Sequence, residues 1–159
     1  VGSEMCIRDR YWIYHLLCFK VWESLMNEDA VRKWIKKAES DLKIGKDEIN
    51  TENPVTDAVC FHMQQCVEKY LKAYLIFHGE EIRKTHNIAE LIEECKQIDP
   101  EFQKLFNFDA DKLTDYAVEI RYGEEFYMPS IEETNEAIKI AEKVKNFVLN
   151  KLKESGFEP

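Results

Sequence analysis

The sequence predicts an all-α protein, an up-down bundle of four to five helices, and three observations carry that prediction. Residues 56–78 contain no helix breaker, and Gly79 is the first residue beyond them able to take the left-handed conformation that ends a helix. Only five glycines and four prolines occur in 159 residues, too few for a sheet protein rich in turns. Asn87 with Glu90, and Ser130 with Glu133, have the spacing of a capping box ahead of amphipathic runs. A chain of this length suits one domain, burying roughly two thirds of the surface its unfolded form exposes.

The elements follow in order. Residues 1–25 do not fit the rest. Residues 1–10 resemble a translated sequencing-adapter read-through. The aromatic run 11–19 is shorter than the ~20 residues of a spanning helix and lacks the layout of a signal peptide. Residues 1–25 are therefore expected to be a non-native or disordered extension, Met26 the natural start, and 26–155 the folded domain. Three basic and three acidic groups in 1–25 cancel, so the net charge of −9 stands without them.

From residue 28 to about 50, Val31, Ile35, Ala38, Leu42, Gly45 and Ile49 recur at alternating steps of four and three, the seam of an amphipathic helix. Asn53-Pro54 ends it. In the helix 56–78, Val59, Met63, Val67, Tyr70, Leu71, Tyr74 and Phe77 share one apolar arc. His62, Gln65, Lys69 and Lys72 recur at three, four and three on the opposite side, a single polar row able to grip a phosphate, a carboxylate or a partner helix. A solvated helix face is the alternative for each of them.

A short third helix is expected from Ile88 to about Asp99, then a less regular stretch with Phe102, Leu105, Phe106 and Phe108. A fourth helix is expected over 111–121, with Leu113, Tyr116, Ala117 and Ile120 inward. Residues 122–129 break the pattern. The last helix carries Ala137, Ile140, Ala141, Val144, Phe147, Val148 and Leu152 and ends before Gly156.

The run Cys60-Phe61-His62-Met63-Gln64-Gln65-Cys66-Val67-Glu68-Lys69-Tyr70-Leu71-Lys72-Ala73-Tyr74-Leu75, followed by Lys84-Thr85-His86, resembles the signature of the HEPN domain family. The resemblance spans about residues 31–152. It implies a small prokaryotic helical bundle, a homodimer, and a minimal nucleotidyltransferase as partner in a toxin–antitoxin-like or nucleotide- and RNA-handling module.

Nuclease members of that family pair an arginine with a histidine four to six residues later at the end of the fourth helix, across a dimer cleft. Arginine stabilises a crowded phosphate there while histidine moves a proton. Arg121 matches the arginine by order and context, but residues 122–127 hold no histidine and Phe126 takes its place. The motif is incomplete, which favours binding over catalysis. The alternative is a metal-independent ribonuclease in which His62 or His86 joins Arg121. Some relatives accept a nucleotide on a tyrosine two residues after the histidine; Met128 holds that place here, with Tyr127 one position off.

The candidate ligand-binding residues are therefore His62, Gln65, Lys69, Lys72, Lys84, His86, Arg121 and Tyr122. His86 and Lys84 have a local alternative, fixing the loop ahead of the third helix. Arg83 to His86 and Arg121-Tyr122 make an anion pocket if their loops meet at one end of the bundle.

A charge of −9 disfavours broad attraction to nucleic acid, so any RNA contact has to be local. Five cysteines without paired spacing fit reduced thiols in the cytoplasm. No phosphate loop, zinc-ligand pair, serine elbow or Glu-x-x-His spacing is present, so no cofactor, metal or membrane partner is expected.

Overall fold

The structure is a computed structural model describing residues 7–117 and 127–158, of which 7–26 are described as backbone only. Among the described residues every regular element is helical. Helix α1 spans Ile7–Glu48, α2 Thr56–Phe77, α3 Ile88–Ile98, α4 Lys104–Asn107 and α5 Ile131–Glu154. Tight 3-10 turns, Pro100–Gln103 and Ala110–Thr114, flank α4. The expected fourth helix thus opens as a 3-10 turn, continues as α-helix over 115–117, and its remainder lies outside the described residues.

The helix ends form where their residue types require. At the end of α2, Gly79 sits at φ 79°, and the Glu80 and Gly79 amides donate to the Leu75 and Ile76 carbonyls. That double closure is the Schellman motif. Gly156, at φ 93°, repeats it on α5, and the next residue, Phe157, folds back into the core beside Phe77. Asn87 Oδ1 accepts from the Glu90 amide and Ser130 Oγ from the Glu133 amide, as their spacing predicts. The Glu133 carboxylate also accepts from the Ser130 backbone, closing that box, and from two tyrosines. Glu90 accepts from the Thr85 hydroxyl and the Asn87 side-chain amide.

Helix α2 is the axis of the bundle. It lies against α1, α3 and α5, and the predicted one-sided arc is too narrow a description. Cys60, Cys66, Ala73 and Leu75 are buried as well as the arc, whose last member Phe77 is half-buried, and so are Gln64, Glu68 and Lys72. Surrounded on several sides, the helix has little wet face left. Burial keeps the thiols un-ionised: it pushes Cys60 up to about 11 and also raises Cys66 and, on α3, Cys95.

Gly45 lets α1 and α2 come together. A Cβ there would stand 2.4 Å from Met63 Cε and 3.4 Å from Val59 Cγ1. Alanine displaces only the tip of a flexible methionine, while a larger side chain overpacks the seam. Gly45→Leu is expected to cost about 1–3 kcal/mol, read as a lowered midpoint in thermal or urea unfolding, with Gly45→Ala near neutral.

Candidate functional site

The polar row of α2 is present as a row, and two carboxylates organise it. Asp41, from α1, takes the upper half: His62 Nδ1 lies 2.9 Å from its Oδ1, and Lys69 Nζ donates to its Oδ2. Glu68, from α2 itself, takes the lower half and is only 4% exposed. Its oxygens accept from Gln64 Nε2 at 3.0 Å, Lys72 Nζ at 2.7 Å and His86 Nδ1 at 3.0 Å. Gln65 Nε2 donates to Gln64 Oε1 at 2.8 Å and so joins the same network.

The network also fastens the connection between α2 and α3. Lys72 Nζ donates to the Thr85 carbonyl at 3.0 Å and Gln64 Nε2 to the His86 carbonyl at 3.2 Å. Lys72, 5% exposed, lies 6.0 Å from the Trp34 ring centroid. A lysine so enclosed is tolerable only because a carboxylate, a carbonyl and a ring face surround it. Burial pushes the Glu68 carboxyl up, but the hydrogen bonds from Lys72, His86 and Gln64 outweigh it and hold it below the usual glutamate range.

The row is therefore neither a solvated helix face nor a file of free cations. Lys69 and Lys72 already have anions, and His62 and Gln65 are partly covered. Of the candidate residues that are described, the exposed ones are Lys84, which has no partner among the described residues, and His86, whose side chain is 69% exposed. With Nδ1 turned to Glu68, His86 has no partner at Nε2 among the described residues.

Arg121 and Tyr122 lie outside the described residues, as does Phe126, so their meeting with the 83–86 loop is a matter of its approaches. The Ile88 amide donates to the Thr114 hydroxyl at 3.0 Å, which sets the start of the fourth helix against the start of α3. Farther on, Tyr116 and Tyr127 both donate to Glu133, at 2.5 and 2.6 Å. One carboxylate thus ties both flanks of the intervening stretch to the first turn of α5. Burial would raise Glu133, yet these two phenols hold it below the usual range.

Asp41, Gln64, Glu68, Trp34 and Glu133 were not among the candidate binding residues. Glu68 had a signal, since Gln64, Glu68 and Lys72 are spaced by four along one helix. Asp41 had only its place beside the α1 seam. Among the described residues no group of three or more His, Cys, Asp or Glu side chains is placed to hold a metal ion, and no helix is long and apolar enough to cross a membrane.

Two long helices joined by a tight turn, a short third helix and a long closing helix, with a charge-compensated stripe along the axis, define an all-α bundle of the helical-hairpin type. The chain belongs to the HEPN domain family, whose pattern it matches over residues 31–152. It is 34% identical over 146 residues to a Methanocaldococcus jannaschii protein named "Putative toxin MJ1304", covering 83% of this chain and 94% of that one. It also resembles ST0689, described as an archaeal HEPN homologue, in a crystal structure: TM-score 0.61, 27% identity, 77% of this chain and 97% of the other.

Proposed function

We propose that this HEPN chain works by binding: a dimeric partner of a minimal nucleotidyltransferase in a toxin–antitoxin-like or nucleotide- and RNA-handling pair. The observation that carries this reading is the pairing of the polar row with Asp41 and Glu68. Groups committed to internal carboxylates hold a shape and a loop in place, whereas a nuclease needs donors free to meet a phosphate. The toxin in the name of the Methanocaldococcus jannaschii relative supports the modular context. Contacts are expected from the outer edge of the row, Lys84 and His86, together with Arg121 and Tyr122, while His62, Gln65, Lys69 and Lys72 shape the surface beneath.

A second reading, a metal-independent ribonuclease, is favoured by one feature. A buried carboxylate on Nδ1 of an exposed imidazole orients His86 as a proton shuttle would be oriented. Arg121 would then serve the phosphate.

Light scattering on a sizing column, with co-expression of a minimal nucleotidyltransferase, tests the leading reading. A dimer that co-purifies with that protein is the expected result. A monomer indifferent both to it and to nucleotides removes the reading.

A further inference from the structure

The flank of α3 that faces the chain leaving α2 carries a groove which the site above does not use. Two adjoining cavities, of about 510 and about 460 Å³, share Arg83, Glu94 and Gln97. Leu75 and Ile98 line the first, Ala89 and Phe106 the second. Carboxylates surround both: Glu80 and Glu81 from the connection, Glu90, Glu93 and Glu94 from α3.

Arg83 divides the groove. Its Nε reaches Glu94 Oε1 at 3.1 Å, while its side chain stays 75% exposed. The contact lacks hydrogen-bond alignment, and that buried oxygen has no other donor. With its guanidinium exposed and misaligned, such a pair contributes little and is readily exchanged. Five carboxylates against one guanidinium leave the lining at −4, and counting the neighbouring Lys84 and Lys96 still leaves −2. Lys96 itself is occupied, paired with Glu93 and lying 5.6 Å from the Phe106 ring centroid.

We propose that this groove docks a basic amphipathic segment of a partner protein. A lysine or arginine of that segment replaces Arg83 on Glu94, and apolar side chains on either side of it enter the two hollows. Charge complementarity selects this occupant: the five carboxylates of the rim repel nucleic acid and attract a cationic segment. The proposal rests on the reading that the chain acts by binding a protein, and it names the chemistry that partner presents.

The test uses the full chain and a fluorescein-labelled peptide of leucine and lysine at helical spacing, with a leucine–glutamate counterpart, followed by anisotropy. Wild-type protein is expected to bind the lysine peptide and not the glutamate one. Glu80→Lys with Glu81→Lys, both exposed and without a side-chain hydrogen bond or ion pair among the described residues, should weaken binding by about tenfold or more. The charge-matched control, Glu132→Lys with Glu136→Lys on α5, should change it by less than about threefold. Arg83→Ala should tighten it, since the resident cation no longer competes. Equal losses in both charge-reversed variants, no binding by wild type, or weaker binding after Arg83→Ala each overturn the groove.

Co-purification separates the two levels. If the Glu80→Lys, Glu81→Lys variant still captures the nucleotidyltransferase in full, the functional reading stands and the groove is wrong. If the lysine peptide binds as described but no nucleotidyltransferase does, the groove stands and that reading falls.

Discussion

Glu68→Ala is expected to be the most damaging single substitution in the described core, costing about 3–5 kcal/mol, because it strands the ammonium of Lys72 in the interior without its anion. At this chain length that corresponds to a melting midpoint lower by about 6–20 °C. The loss should be largest above the ordinary glutamate value of 4.5. Glu68 is held below that value when folded, so its contribution is complete above it and is lost as the pH falls through the lower, folded value. Thermal melts of wild type and Glu68→Ala across acid pH should therefore converge at the low end. A double-mutant cycle with Lys72→Met isolates the pair: if the Glu68→Ala penalty persists undiminished with Lys72 gone, the stranded charge is not its cause.

Asp41→Ala is expected to act on both stability and ligand binding. It removes the carboxylate shared by His62 and Lys69 across the α1–α2 seam. Because both partners keep some access to water, the stability cost should be about 2–3 kcal/mol, less than for Glu68. The second effect has the opposite sign. Lys69 loses its internal anion, so affinity for a labelled single-stranded RNA should rise about fivefold, the equivalent of one new ion pair of about 1 kcal/mol, and the gain should fade with salt. Unchanged RNA affinity in a folded Asp41→Ala protein would mean that the row does not face a surface where a phosphate can come.

The fold was largely legible because its signals are local. Breakers at Pro54 and Gly79, the capping spacings at Asn87 and Ser130, and the four-three seam through Gly45 each act within a few residues of chain. The site was legible only in part. Spacing on α2 showed that His62, Gln65, Lys69 and Lys72 share a side, and the structure keeps them together. It did not show what covers that side, because Asp41 arrives from another helix and the 80–87 connection folds back over Lys72. Helical periodicity reports which side chains align; it is silent on whether a neighbour supplies the counter-charge. Two tyrosines meeting on Glu133 had no sequence signal at all, since that contact depends on how the chain returns to α5.

Incubating purified wild-type protein and an Arg121→Ala variant with transfer RNA and with unstructured RNA, free of added metal, asks whether this molecule holds or cuts. Donors already committed to Asp41 and Glu68 predict intact RNA with both proteins. Cleavage by wild type that disappears in the Arg121→Ala variant, and again in His86→Ala, would contradict the account.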